Sequence, residues 1–254
     1  MRVAIAGKGG AGKTTISATL CRLMARAGTP VVAVDADANP NLAAALGVTP
    51  ESARAARPLS PSLVSRKLNG PRLTAPVDVV LEEYAVAAPD GVRLVAMGAP
   101  AHADEGCLCS AHATVSALLA DLGDGDGRLT VIDMEASPEH LSRGTVRHVD
   151  VLCLVAEPYY RSLETVRRLG ALAAELEIPR LVMVANKIRS APDAEAVREF
   201  AGRHGLELVG EVPWGEEVVD ADRDRIPLVQ IDPPAPSVEA VRRLGEQLLA
   251  PVPR

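Results

Sequence analysis

The stretch "GKGGAGKTT", residues 7–15, constrains the fold of this chain more than any other segment. It follows a short apolar run, precedes a helical pattern, and has the spacing G-x-x-x-x-G-K-[ST] from Gly7 to Thr14. Glycines in such a loop let backbone N–H groups converge on phosphate oxygens, and the positive end of the following helix adds to the attraction. The segment therefore predicts a nucleotide phosphate site built from a strand, a loop and a helix.

The side chains of this loop have predictable tasks. Lys13 is expected to reach the β- and γ-phosphates of the nucleotide, and the Thr14 hydroxyl is expected to bind Mg²⁺. The other loop residues that we expect to contact ATP or ADP are Gly9, Gly10, Ala11, Gly12 and Thr15.

Short apolar runs alternate with helical patterns along the chain, which predicts an α/β fold with a parallel sheet between helices. Several runs are apolar throughout, as is typical of strands buried on both faces. We predict a single domain over 1–254: a three-layer P-loop NTPase with a mostly parallel central sheet flanked by helices. The predicted strands are 2–6, 31–35, 92–97, 129–134, 151–156, 180–185 and 206–212, and the predicted helices are 14–27, 111–121, 161–176, 192–204 and 237–250.

Two segments stand out from this alternation. Residues 50–76 are rich in Pro, Ser and Arg, and we expect either a solvated, partly mobile insertion or a segment that docks a partner or contacts the second subunit of a dimer. Residues 92–122 are expected to contain a strand, a loop with two cysteines, and a helix.

The composition excludes several classes of protein. A net charge of −6 and only 2% aromatic residues disfavour a nucleic-acid partner. No apolar run approaches the roughly 20 residues of a membrane span, so we expect no membrane partner. Four cysteines are too few for a disulfide framework, and a cytoplasmic location follows. We expect Cys21 and Cys153, which lie in apolar runs, to be core thiols.

A second lysine, Lys8, lies inside the loop and gives "KGGAGKTT". This sequence resembles the deviant Walker A loop of the MinD/ParA class of ATPases, which includes the nitrogenase iron protein and the arsenite-pump ATPase. The resemblance implies that Lys8 crosses to the nucleotide of a second subunit and is catalytic there. It also implies a homodimer whose closure depends on ATP.

The same resemblance assigns roles to two acids that follow strands. In "VDADANPNL" (34–42), Asp37 would orient the attacking water, whereas Asp35 is a candidate to support the loop. Asn41 falls where some relatives carry a second acid near magnesium. Asp133 would hold Mg²⁺ and begin a second switch segment. Acids at these places could also simply cap a helix or end a strand.

Two segments resemble the base-binding part of the class. Asn186 and Lys187 in "VANKI" resemble a base-binding motif, and Arg189 stands where a GTPase would have an aspartate, so adenine is favoured. In "EVPWGEEVVDAD" (211–222), Pro213 is expected to pack near the purine. Trp214 would either stack on the base or pack in the core.

The stretch "EGCLCSAH" (105–112) holds two cysteines one residue apart, Cys107 and Cys109. Two thiolates are half of a tetrahedral metal site. The surrounding residues 92–122 are similar to the CooC-type ATPases that mature nickel carbon monoxide dehydrogenase, and the similarity extends over nearly the whole chain. One departure is Ser110-Ala111, where that family often has Pro-Glu.

This resemblance implies an ATP-hydrolysing metallochaperone. Two chains related by a twofold axis would supply four thiolates to one transition metal, Ni²⁺ or Zn²⁺, for delivery to a client metalloenzyme such as carbon monoxide dehydrogenase. His102 and His112 flank the pair and could add a ligand, or they could be surface histidines.

Other functions remain open at this point. The cysteines could hold a bridging iron–sulfur cluster, as in an ATP-dependent electron-transfer protein that resembles the nitrogenase iron protein. They could also form a redox pair or be inert thiols. A ParA- or MinD-like positioning ATPase is a further alternative, although the acidic charge and the lack of a membrane helix disfavour it.

Overall fold

The computed structural model describes residues 1–67, 70–98, 109–122, 127–135, 141 and 145–250, and a sheet of eight strands crosses its centre. These strands are β1 (Arg2–Gly7), β2 (Val31–Ala36), β5 (Val86–Ala87), β6 (Arg93–Ala96), β7 (Leu129–Met134), β8 (Val151–Ala156), β9 (Arg180–Ile188) and β10 (Glu207–Pro213). Two more strands, β3 (Val64–Lys67) and β4 (Gly70–Leu73), form a separate antiparallel hairpin.

The order of strands across the sheet is β10-β9-β8-β1-β7-β2-β6-β5. All neighbouring pairs are parallel except β5 with β6. Every residue of β2, β7 and β8 is buried, as expected for apolar strands covered on both faces. The parallel strands place their carboxyl ends at one edge of the sheet, where ligands bind in folds of this type.

Nine helices are present in the described residues: α1 (Lys13–Arg26), α2 (Leu42–Leu46), α3 (Pro50–Ala55), α4 (Val77–Tyr84), α5 (Cys109–Asp121), α6 (Tyr160–Glu175), α7 (Ala191–Arg203), α8 (Glu216–Asp224) and α9 (Pro236–Leu249). Short 3₁₀ turns span Pro61–Leu63, Pro89–Gly91 and Leu228–Gln230.

Two hydrophobic clusters, one on each face of the sheet, make the three layers. The first joins the sheet to α4, α5, α6 and α7, and includes Leu118 and Val166. The second joins it to α1, α2 and α9, and includes Leu20 and Leu244. The predicted single-domain α/β fold with a mostly parallel sheet is therefore confirmed. Cys21 and Cys153 are fully buried, as predicted.

The segment 50–76 has more structure than a solvated insertion. It contains α3 and the β3–β4 hairpin, and Leu59 and Leu63 are buried in the first cluster. The backbone N–H of Leu73 donates to Asp121 at the end of α5 (3.0 Å), and Arg72 forms an ion pair with the same carboxylate. The hairpin is therefore fixed to α5.

Within the described part of the chain, no helix has both the length and the apolar character needed to cross a bilayer.

Candidate functional site

The glycine-rich loop between β1 and α1 has a backbone that only glycine accommodates at two points. Gly12 has φ 93°, and a Cβ there would lie 2.3 Å from Nδ2 of Asn186. A Cβ on Gly7 would lie 2.5 Å from the carbonyl oxygen of Val155 on β8. The loop is thus pressed against the neighbouring strands, and it leads into the N-terminus of α1, whose first-turn N–H groups have no partner within the helix.

Asn186 and Lys187, predicted to bind the base, brace this loop from β9. Asn186 Nδ2 donates to the carbonyl oxygen of Ala11 (2.6 Å), and Lys187 Nζ donates to that of Gly10 (2.5 Å). Lys187 also forms an ion pair with the buried Glu157 after β8 (2.9 Å). Sequence reasoning did not assign Glu157 a role; its signal was an acid directly following a fully apolar strand.

Lys13 is nearly buried, with 7% of its surface exposed, at the start of α1. Burial lowers the pKa of its ammonium group, and the nearby charges of Asp133, Asp37 and Glu135 partly oppose that effect. A desolvated cation at the N-terminus of a helix is well placed to interact with a phosphate chain, because its field is weakly screened there.

Thr14 and Asp133 lie together, as the prediction of a magnesium site requires. The Thr14 hydroxyl donates to one oxygen of Asp133 (2.6 Å), and the Ser17 hydroxyl donates to the other (3.0 Å). A hydroxyl and a carboxylate at this spacing are the hard oxygen ligands that Mg²⁺ prefers, so these residues fit the ion. Ser17 was missed, although its position one helical turn after Thr14 could have indicated it.

Asp133 should make the stability of the nucleotide- and magnesium-free protein depend on pH. Burial raises its pKa from 3.8 to about 7 despite the two hydroxyl donors. Between those values the folded state keeps a proton that the unfolded state has released, so the free energy of unfolding falls as pH rises. We expect Asp133→Asn to be more stable than wild type at pH 8, by on the order of a few kcal/mol, and to show a smaller gain at pH 5. Denaturant titrations at the two pH values measure this difference.

Asp150→Asn is a matched control for that experiment. Arg2 holds the pKa of Asp150 below its ordinary value in spite of partial burial, and the two side chains form an ion pair of 2.8 Å. Asp150 is therefore ionised throughout the range, and its replacement should cost the same at pH 5 and pH 8. An equal effect of Asp133→Asn at both values would contradict the raised pKa.

Asp35 and Asp37 have different surroundings. The buried carboxylate of Asp35 accepts hydrogen bonds from the backbone N–H groups of Leu42 (3.0 Å) and Asp37 (3.2 Å), and burial raises its pKa to about 6. Asp35 therefore supports the loop between β2 and α2. Asp37 is only half-buried and accepts from the N–H of Asn39 (2.8 Å), while Asn41 donates to the carbonyl of Asn39 (2.7 Å).

Lys8 is held only weakly at the outer face of the loop. Its Nζ lies 3.5 Å from the Tyr159 hydroxyl and 5.6 Å from the centre of the Tyr159 ring. Tyr159 donates to Glu157 (2.5 Å), and this hydrogen bond is the main reason that the tyrosine pKa rises to about 12. The neighbouring Tyr160 is largely exposed.

A cavity of about 380 Å³ runs from the loop to the end of β10. Gly12, Lys13 and Thr14 line one part of it, and Pro213 and Trp214 line another. The Arg189 guanidinium lies 3.8 Å from the centre of the Trp214 ring. Trp214 is therefore a wall of the cavity that carries a stacked arginine, and it is not a core residue.

The predicted transition-metal site lies partly outside the described residues, because Cys107 and His102 fall in 99–108. Cys109 is the first residue of α5 and is exposed. His112 is only 2% exposed, and its Nδ1 lies 3.5 Å from the Thr145 hydroxyl. The interpretation of His112 as a surface histidine is wrong, since it lies on the face of α5 that packs inward. No group of three or more His, Cys, Asp or Glu side chains suited to a metal ion occurs among the described residues.

Comparisons with known proteins agree with this geometry. Residues 3–228 match the family model described as the CobQ/CobB/MinD/ParA nucleotide binding domain. The carbon monoxide dehydrogenase accessory protein CooC of Rhodospirillum rubrum is 34% identical over 241 residues, which cover 92% of this chain and 91% of that protein.

Two solved structures have the same fold. The MinD cell division protein of Aquifex aeolicus superposes with a TM-score of 0.72 at 22% identity, covering 99% of this chain and 98% of that one. MinD of Pyrococcus horikoshii, solved with Mg-ADP, gives 0.72 at 23% identity, covering 98% and 96%. The chain belongs to the CobQ/CobB/MinD/ParA family of nucleotide-binding proteins, and it is an ATPase of that family.

Proposed function

We propose that this chain is a metallochaperone ATPase: it closes as a homodimer on ATP, couples closure to metal binding at Cys107 and Cys109, and delivers the metal to a client enzyme. The observation that carries the proposal is the 34% identity with a carbon monoxide dehydrogenase accessory protein over 92% of the chain. We propose Ni²⁺ as the cargo and carbon monoxide dehydrogenase as the client.

The residues of the site have separate roles in binding and hydrolysing ATP. Lys13 offsets charge on the β- and γ-phosphates, and the loop amides of residues 9–15 position those phosphates. Thr14 and Asp133 would hold Mg²⁺, which supplies further charge neutralisation at the phosphates. Asp37, half-buried near Lys13, orients the attacking water. We propose that Asn186, Lys187 and Pro213, which line the same cavity, contact the base.

Lys8 explains why closure would depend on ATP. A γ-phosphate carries more negative charge than Lys13 and one Mg²⁺ offset, so a lysine from a second chain is attracted to it. Lys8 fits this role because, among the residues that the structure describes, its Nζ makes only long hydrogen bonds, at 3.5 Å, to Tyr159 and to the carbonyl of Gly9.

Contacts within the chain support coupling between nucleotide and cysteines. The backbone N–H of Met97, at the start of the segment that leads to Cys107, donates to the carbonyl of Asp35 (2.8 Å). On the other side, His112 of α5 contacts Thr145, which follows β7 and Asp133. We propose that the nucleotide state is transmitted to the cysteines through these two contacts.

The cysteine pair would bind a metal shared by two chains only in its reduced form, since Cys109 is disulfide-bonded in this structure. A C₂ axis brings the same patch of each subunit together, so two pairs would give the four thiolates of a tetrahedral site. Thiolates are soft ligands that bind Ni²⁺ or Zn²⁺.

Anaerobic titration of the full chain with Ni²⁺ or Zn²⁺ tests the site. We expect one ion per two chains in wild type with a non-hydrolysable ATP analogue, and loss of that ion in the Cys107→Ser/Cys109→Ser double variant. Cys21→Ala, which changes a fully buried core thiol, is the matched control and should bind metal as wild type does. Metal binding that survives in the double variant would refute the proposal. An absorption band at about 400 nm would identify an iron–sulfur cluster instead of a single metal ion.

A further inference from the structure

Glu157, which follows β8, connects to two residues of the phosphate loop through its carboxylate. One oxygen forms the ion pair with Lys187 (2.9 Å), whose ammonium group donates a hydrogen bond to the carbonyl of Gly10. The other oxygen accepts a hydrogen bond from the Tyr159 hydroxyl (2.5 Å), and the oxygen of that hydroxyl lies 3.5 Å from Nζ of Lys8. The carboxylate is therefore connected to the loop at two points.

The turn between β8 and α6 fixes the position of Tyr159. Its backbone N–H donates to the carbonyl of Glu157 (2.8 Å), and the N–H of Glu157 donates to the hydroxyl of the buried Ser162 (2.9 Å). Because the Tyr159 hydroxyl donates to Glu157, its oxygen is left as an acceptor, which suits an ammonium group. Although Tyr159 is 41% exposed, these hydrogen bonds restrict the position of its ring.

Lys8 lies beside this ring and outside the nucleotide cavity of its own chain. Its Nζ is 5.6 Å from the centre of the Tyr159 ring, within the range of a cation–π interaction. Lys13 and Lys187 line the cavity, whereas Lys8 and Tyr159 are not among the described residues that do. A lysine placed in this way is suited to reach a phosphate of another chain rather than one of its own.

A restrained lysine loses less conformational entropy on binding than a free one. A free lysine side chain has many rotamers, and fixing one of them in an interface costs affinity. A contact that already limits the rotamers in the single chain lowers this cost when the contact is kept in the dimer. We infer that Tyr159, fixed by Glu157, is a positioning residue that holds Lys8 ready to enter the nucleotide site of a second copy of the chain. This inference rests on the proposed role of Lys8 in the ATP-closed dimer.

NMR spectra of the lysine side chains test the contact itself. The chain has four lysines, Lys8, Lys13, Lys67 and Lys187. Labelling of lysine Cε with ¹³C therefore gives four signals, and Lys8→Ala identifies the signal of Lys8. The ring current of Tyr159 should shift this signal, with and without a non-hydrolysable ATP analogue. The shift should persist in Tyr159→Phe and in the matched control Tyr160→Leu, and it should disappear in Tyr159→Leu. A Lys8 signal that is the same in wild type and in Tyr159→Leu would overturn the inference.

Sedimentation velocity with the ATP analogue tests the consequence for the dimer. In a twofold dimer both Lys8 side chains lose the contact, so Tyr159→Leu should raise the dimer dissociation constant by about fivefold to thirtyfold. Tyr159→Phe keeps the ring and should raise the constant less. The affinity of the monomer for the analogue should be the same in wild type and both variants, because other residues line the cavity. An unchanged or lower dissociation constant in Tyr159→Leu, or a weakened affinity of its monomer for the analogue, would overturn the inference.

The role of Tyr159 can fail separately from the function on which it rests. If wild type does not dimerise with the analogue, the ATP-closed dimer and the role of Tyr159 are both wrong. If Lys8→Ala fails to dimerise but Tyr159→Leu dimerises as wild type does, the role of Lys8 stands and the role of Tyr159 is wrong.

Discussion

Lys13→Ala is expected to lower kcat/KM for ATP by about 10²–10³-fold, the effect of removing one preorganised charge-stabilising group. The ammonium group of Lys13 is nearly buried, and its lowered pKa shows that desolvation outweighs the nearby carboxylates. The nucleotide-free protein therefore holds this charge at a cost in stability, and the charge is already in place when the phosphates bind. Steady-state phosphate release measures the loss.

The same variant should be at least as stable as wild type without nucleotide. Removing a desolvated cation relieves a cost that the nearby carboxylates offset only in part, so function and stability oppose each other at this residue. Lys67→Ala, in the β3–β4 hairpin, is the matched lysine control and should hydrolyse ATP normally. Lys13→Ala with wild-type activity would contradict the assignment.

Lys8→Ala is expected to abolish ATP-dependent dimerisation while leaving the chain able to bind nucleotide as a monomer. Truncating one member of a buried charge pair across an interface costs about 2–5 kcal/mol, so the dimer dissociation constant should rise by about 30-fold or more. Sedimentation velocity with a non-hydrolysable ATP analogue measures dimer formation, and equilibrium binding measures the monomer's affinity.

The variant separates a role across the interface from a role within one chain. Lys8 contacts Tyr159 weakly in the single chain, so its loss should hardly change stability. Arg203→Ala, at the exposed C-terminal end of α7, serves as the control and should dimerise as wild type does. If Lys8→Ala still forms the dimer with ATP, the lysine does not act in trans, and the ATP-closed dimer needs another explanation.

The sequence predicted the parts of this fold that depend on local patterns. All seven predicted strands and five predicted helices are present, with boundaries within two or three residues of those expected. Apolar runs such as "VLCLVA" are unambiguous because both faces of the strand are buried. The phosphate loop was predictable because its glycines are required by the structure. A side chain at Gly12 would collide with Asn186.

Other parts depend on contacts between distant residues. The β3–β4 hairpin has no strong alternation of its own and is fixed by Asp121, 48 positions after Leu73. Helix α2 has only five residues, and Asp35 supports its start through Leu42. Ser17 and Glu157 belong to the site only through contacts with residues distant in the sequence, Asp133 and Lys187. Their residue types alone carry no such information.

The central claim is that nucleotide and metal binding are coupled, and coupling of this kind must be reciprocal. The direct measurement is the affinity of the full chain for Ni²⁺ with and without a non-hydrolysable ATP analogue, together with the affinity for that analogue with and without Ni²⁺. We expect both affinities to rise by the same factor, within about 5- to 150-fold, and both effects to vanish in Lys8→Ala and in the Cys107→Ser/Cys109→Ser variant. Nickel binding that is the same with and without the analogue would contradict the account.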